Sequence, residues 1–257
     1  MSLQVKGLSF HYKRGPQVLD DISLELQPGK LSALIGQNGS GKTTVLKCIN
    51  GILNPSSGTM EFGGQSLSSM SLKERARLMS YVPQSIPSSM QFRVFDVVLM
   101  GRRPYLQWGV SQKDRSKVFS VLDQMGLEDL CFRPYDELSG GQKQKVLIAR
   151  ALVQEPSILM MDEPTSNLDL RHQLDVLELL KKIAAEKGIS VLLSAHDLNL
   201  VMNFADRLEM LKNGHICHSG AVEEVLSSDN IRDVFDVETH VGQHKGTSFV
   251  LLNRTAQ

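Results

Sequence analysis

The sequence predicts an α/β fold around a parallel sheet, and three observations carry that prediction. The apolar run Leu31-Ser32-Ala33-Leu34-Ile35 ends in Gly36-Gln37-Asn38-Gly39-Ser40-Gly41-Lys42-Thr43-Thr44, a glycine-rich turn that opens a helix. A second unbroken apolar run, Ile158-Leu159-Met160-Met161, ends in Asp162-Glu163-Pro164; hydrophobicity without alternation marks a parallel strand covered on both faces. Beyond it, helical and strand-length segments alternate, as βαβ units do.

Composition agrees and narrows the partners. With 257 residues, 41% hydrophobic and 22% charged, the chain can bury the core of one large domain, or of one domain with an insertion. Lys plus Arg and Asp plus Glu number 28 each, so no basic field points to nucleic acid and no acidic excess to a solvating tail. Cys48, Cys131 and Cys217 are widely spaced, without a C-x-x-C pair, and read as small buried hydrophobes in a reducing compartment. Met1 to Phe10 alternates like a strand rather than a secretory leader. No apolar run nears the ~18 to 20 residues of a membrane span, so work at a membrane goes through a partner.

In chain order, Leu3 to Phe10 and Val18 to Leu26 alternate apolar and polar residues around Lys13-Arg14-Gly15-Pro16, an antiparallel hairpin. Tyr12, just before that turn, is either a half-buried strand aromatic or a stacking platform for a base. The helix after the glycine-rich turn runs from about Lys42 to Ile49. A strand at Thr59 to Phe62, a helix at Leu72 to Leu78 and a strand at Met79 to Val82 lead to Pro83-Gln84. From Pro87 to Pro134 the spacing turns helical, in Val94 to Met100 and Val118 to Met125, around the irregular Gly101 to Gly109; this reads as a helical insertion. Ser139 and Gln142 are spaced as a capping box for a helix ending near Leu152. Helices at Leu170 to Lys187 and Leu198 to Phe204 flank a strand at Ser190 to Ser194. Leu208 to Lys212 and His215 to Ser219 form a hairpin on Asn213-Gly214. A helix near Ile231 to Phe235 and a strand at Ser248 to Leu252 close the chain. His215, Cys217 and His218 cannot converge on one ion from a strand, and His240 and His244 lie either side of Gly242 in a turn.

The chemistry starts at Gly36 to Thr43, which fits G-x-x-x-x-G-K-[ST] at every position. Glycines let successive amides face phosphate oxygens, and the helix adds its positive end. Lys42 supplies a point charge to the β and γ phosphates, and the Thr43 hydroxyl is placed to hold magnesium. Asp162 and Glu163 complete the set: the first holds the metal through water or Thr43, the second orients or deprotonates the attacking water.

Leu138-Ser139-Gly140-Gly141-Gln142, read together with these stretches, resembles the signature of ABC transporter ATP-binding subunits, and the likeness covers essentially the whole chain. It implies a P-loop NTPase (RecA-like) core with an antiparallel β subdomain and an inserted α-helical subdomain, the core at 1–86 and 153–257 and the insertion at 87–152. Gly36 to Thr43 matches the Walker A motif, with Gln37, Asn38, Gly39, Ser40, Gly41 and Thr44 in its loop. Asp162 and Glu163 match Walker B and the catalytic glutamate, and Ser166-Asn167-Leu168-Asp169 the D-loop. By the same resemblance Tyr12 stacks on adenine, Gln84 contacts magnesium and water, and His196 is the switch histidine at the γ-phosphate. The substrate is ATP with Mg2+. Ser139, Gly140, Gly141 and Gln142 would meet the nucleotide of a second copy in a head-to-tail dimer.

Gly101-Arg102-Arg103-Pro104, the stretch Glu163 to Gln173 and Ala195 to Asn199 are similar to importers of iron chelates, haem and cobalamin. That subgroup implies a peripheral subunit on the cytoplasmic face of the inner membrane, bound to a permease and indirectly to a substrate-binding protein, with no nucleic acid. The helical insertion, chiefly Gln84 to Trp108 with Arg102, Arg103, Tyr105 and Trp108 in its irregular loop, is the expected docking segment. The alternative, a soluble ABC ATPase acting on ribosomes or DNA, usually carries two nucleotide-binding halves or a long coiled coil, and this chain has neither.

Overall fold

A computed structural model describes residues 1–13, 15–84, 92–166, 168–244 and 247–253; Arg14 of the first turn, Pro87 at the start of the insertion and Asn167 of the D-loop lie outside the described residues. Alternation folds β1 (Leu3–His11) against β2 (Gln17–Leu26), antiparallel from Leu3↔Leu26 to His11↔Gln17, with Leu3, Val5, Leu8 and Phe10 buried. The apolar run becomes β3 (Leu31–Gly36), followed by α1 (Lys42–Asn50). Next come β4 (Ser57–Phe62), which pairs with β1, the short β5 (Gln65–Ser66), α2 (Leu72–Leu78) and β6 (Met79–Val82).

Between β6 and β7 (Ile158–Asp162) the described chain carries α3 (Val94–Leu99), a 3-10 helix over Met100–Tyr105, α4 (Gln112–Gln124) and α5 (Gly140–Leu152). Then follow α6 (Leu170–Lys187), β8 (Ser190–Ala195), α7 (Leu198–Phe204), β9 (Arg207–Lys212), β10 (His215–Ala221), α8 (Val222–Val225), α9 (Ser228–Phe235), β11 (Thr239–His244) and β12 (Thr247–Leu252).

The main sheet has the order β10-β9-β3-β8-β7-β6 and is parallel except at β10; a second sheet, β2-β1-β4-β5, is antiparallel. Each central strand feeds both sides of the main sheet. In β3, Ala33 and Ile35 pack with Ile148 of α5 and Leu180 of α6, while Leu34 joins Val45, Leu46 and Ile49 of α1 and the antiparallel sheet. Burial on both faces is why β3 and β7 lack alternation. The phosphate-binding turn and Asp162 therefore emerge at the same, carboxyl-terminal edge of a parallel sheet, where open α/β sheets bind ligands.

Four expectations are corrected. Gly101 to Tyr105 is helical, and Arg102 is buried rather than exposed for docking. Its Nε donates to Asp114 Oδ1 at 3.0 Å, its Nη1 to Glu155 Oε2 at 3.0 Å and to the Val153 carbonyl, and the Tyr105 ring lies 3.9 Å away. The Tyr105 hydroxyl donates to the Gln154 carbonyl. Second, α4 starts at Gln112 because Ser111 and Asp114 form a capping box; the Ser111 hydroxyl, followed by Arg102, holds the Asp114 carboxyl below the usual range. Third, His240, Gly242 and His244 lie on a strand, where the Phe249 ring covers the missing side chain of Gly242. Fourth, Cys217 is exposed on the sheet's edge strand, whereas Cys48 and Cys131 are buried; burial pushes the Cys48 thiol up to about 12. Among the described residues no helix is long and apolar enough to cross a membrane.

Candidate functional site

The turn after β3 is shaped by contacts that side chains would block. Gly41 has φ +111, and a Cβ there would stand 2.7 Å from Leu19 Cδ2. The Ser40 carbonyl accepts from the Gly214 amide at 3.1 Å, which ties the loop to the β9–β10 turn. Lys42 is buried, and its Nζ donates to the Gly36 carbonyl at 2.8 Å and the Gln37 carbonyl at 3.0 Å. Burial lowers its pKa, an effect the Glu163 and Asp162 carboxylates only partly offset. The Ser40 hydroxyl is buried without a partner among the described residues. Such a loop, with a buried cation on its own carbonyls and an orphaned hydroxyl, fits an anionic phosphate chain.

Asp162, at the end of β7, is buried and accepts three hydroxyls: Thr43 at 3.0 Å and Ser194 at 2.7 Å on Oδ1, and Tyr81 at 3.3 Å on Oδ2. Burial first, then Asp162, raises the Tyr81 pKa, so it stays a donor. Sequence reasoning missed Ser194 and Tyr81. A usable signal for Ser194 was its register opposite Asp162 in β7–β8, which follows only once the pairing is known.

Glu163 takes the other direction because its φ is +45, a left-handed conformation that a non-glycine residue adopts at a cost. Its amide donates to Ser194 Oγ at 2.9 Å. Its Oε2 accepts from Gln84 Nε2 at 2.7 Å and lies 3.8 Å from His196 Nδ1. Gln84, Glu163 and His196, far apart in sequence, thus meet at one carboxylate, and a cleft runs from there along Asn38, Gly39, Gly41, Lys42, Thr43 and Thr44.

Other expected residues lie outside that cleft. Tyr12 is half exposed and meets Phe10 edge-on, centroids 4.9 Å apart. Ser139 caps α5, its hydroxyl accepting from the Gln142 amide at 3.3 Å while Gln142 Oε1 accepts from the Ser139 amide at 3.0 Å. Gly140 is exposed, and Gly141 packs so closely on His172 that a Cβ would stand 2.4 Å from its ring. Asp169 caps α6, accepting from the His172 amide at 2.9 Å and facing His172 Nδ1 at 2.7 Å; that amide holds the Asp169 carboxyl low. Gln37 points away from the cleft, its Nε2 donating to Asp236 at 3.1 Å.

A parallel sheet whose edge carries this loop, aspartate and glutamate defines a P-loop nucleoside triphosphatase. The chain belongs to the ABC transporter family, whose model matches residues 19–166. It is 40% identical over 262 aligned positions to the hemin import ATP-binding protein HmuV of Bordetella avium, covering 98% of this chain and all of that one. It is 35% identical to the cobalamin import ATP-binding protein BtuD of Halobacterium salinarum, covering 97% of this chain and 63% of the relative. Among solved structures, a metal-chelate type ABC transporter in an inward-facing conformation superposes with TM-score 0.85 at 30% identity, over 98% of this chain and 96% of that one. The protein is therefore an ATP-binding ATPase of the ABC transporter family, and the ribosome- or DNA-directed alternative is not favoured.

Proposed function

We propose that this chain powers an importer of iron chelates, haem or cobalamin-type cargo, working as a head-to-tail pair of copies under a membrane permease. The observation carrying the chemistry is the approach of Gln84 and His196 to the Glu163 carboxylate. The cargo class rests on the relatives, whose printed roles are hemin and cobalamin import.

Thr43 and Asp162, 3.0 Å apart, offer the oxygen donors that suit magnesium, which uses one or two carboxylates together with phosphate oxygens. Bound there, it would neutralise charge on the phosphates of ATP. Lys42 adds a point charge, and Glu163 takes the proton of the attacking water while Gln84 and His196 hold its carboxylate in place. Tyr12 stacks on the adenine. Ser139, Gly140, Gly141 and Gln142 offer helix-end groups to the nucleotide of the other copy, with Asp169 at the contact between copies.

In this reading, 1–86 and 153–257 hold the nucleotide and 87–152 meets the permease. Exposed Phe119 and Phe132 pack on Phe95, with ring centroids 5.1 and 6.4 Å from it, and Phe92 and the fully exposed Trp108 lie nearby in sequence. Such aromatics suit a protein interface more than open water. The subunit would sit peripherally on the cytoplasmic face of the membrane and reach a substrate-binding protein only through the permease. Affinity purification from detergent-solubilised membranes tests this: a permease should co-purify, and Phe119→Ala with Phe132→Ala should release it. Co-purification with ribosomes and no membrane protein would overturn the reading.

A further inference from the structure

We propose that the segment from Val222 to Leu252 braces the ATP site from behind, with Asp236 and Asn199 as the positioning residues through which it acts. This rests on the ATPase reading and goes beyond it, since the segment lies outside the residues matched to the family.

The first tie reaches the phosphate-binding loop. Asp236 follows α9 with φ +58, where glycine would sit without strain, yet an aspartate occupies it. Its Oδ2 accepts from Gln37 Nε2 at 3.1 Å, and Gln37 is the residue whose own carbonyl accepts Lys42 Nζ. One side chain thus separates Asp236 from the group that positions the ammonium. The bearing point is itself fixed: Lys212 Nζ donates to Asp236 Oδ1 at 3.5 Å and to the Asp233 carbonyl, and Asp233 Oδ2 faces His218 Nε2 at 3.0 Å. His218, which sequence reasoning weighed and rejected as a metal ligand, finds its partner here.

The second tie reaches the histidine. Asn199 donates from Nδ2 to the Val250 carbonyl at 3.2 Å and accepts the Val250 amide on Oδ1 at 2.8 Å, so its amide pairs with β12 as a neighbouring strand would. Asn199 stands on α7, which opens at its N-cap Asp197, immediately after His196. A cleft lined by His196, Leu198, Phe235, Val237, Val250 and Leu252 opens beside this arm, and the two Asn199 bonds join α7 to β12 next to it.

The two ties predict opposite kinetic signatures in the full chain assayed with ATP and magnesium. Asp236→Gly should keep or raise the melting temperature, because it relieves the left-handed residue, yet raise KM for ATP roughly two- to fivefold at unchanged kcat. Asp236→Asn should restore the wild-type KM, since asparagine tolerates this conformation and its oxygen accepts from Gln37. Asn199→Ala should lower kcat several-fold at unchanged KM, read well below its melting midpoint so that folding is intact. An Asp236→Gly variant with wild-type KM, or an Asn199→Ala variant with wild-type kcat, would overturn the brace. Absence of hydrolysis by the wild-type chain would instead count against the ATPase reading.

Discussion

The loop before α1 and the first turn of α5 are built to different standards of completeness. At the loop, Lys42 rests on two carbonyls, Thr43 on Asp162, and Glu163 faces both Gln84 and His196. At α5 the capping box satisfies Ser139 and Gln142, and no described contact brings Gly140 or Gly141 to the cleft. One end is a site within a single copy. In the proposed pair, the other would be a surface whose ligand comes from the second copy.

Mutations at the loop should break function within one copy. Glu163→Gln should cut turnover by about 10²- to 10⁴-fold while sparing ATP binding, because the amide keeps the shape and cannot take a proton; single-turnover hydrolysis beside a nucleotide-binding titration checks both halves. Lys42→Ala should cost about 2 to 4 kcal/mol of phosphate interaction and so remove most ATP binding. An ATPase assay retaining the wild-type rate would deny Lys42 that role. Tyr12→Ala should weaken ATP by about 1 to 3 kcal/mol while leaving inorganic triphosphate affinity unchanged, if it stacks as aromatic residues stack on single-stranded bases.

The contrast between satisfied and unsatisfied groups extends to two buried carboxylates. Asp162 accepts three hydroxyls, whereas Glu209 on β9 is fully buried with neither oxygen hydrogen-bonded among the described residues. Burial pushes Glu209 up to about 7, which Ser219, opposite it on β10, and then Arg207, 3.9 Å away, offset only in part. An acid raised on folding holds its proton longer in the native state, so stability falls as pH rises from the ordinary glutamate range to about 7. Glu209→Gln should flatten that decline and raise stability above pH 7 by roughly 1 to 3 kcal/mol, measured as melting temperature against pH. An unchanged pH profile would show Glu209 paired in solution.

What could be read from the sequence follows from how local each feature is. The loop, the Asp162-Glu163 pair and the Ser139/Gln142 box each lie in one short stretch, and residue spacing alone is enough to find them. Gln84 and His196 came only through resemblance, because their meeting at Glu163 depends on three different strand ends. Arg102 was misread as exposed since two of its partners, Asp114 and Glu155, are 12 and 53 residues away. β11 was lost to Gly242, whose bare position is covered by Phe249 from the opposite strand. Ser111, by contrast, carried a readable capping signal for α4 that the apolar spacing from Val118 obscured.

The claim that the α5 end waits for a second copy is tested most directly by light scattering of Glu163→Gln with saturating ATP and magnesium. The account predicts a dimer that reverts to monomer without ATP, and a monomer when Ser139→Arg is added although each copy still binds ATP. A Glu163→Gln protein that stays monomeric at saturating ATP, with the permease present as well as absent, would contradict it, as would equal dimerisation of the double variant.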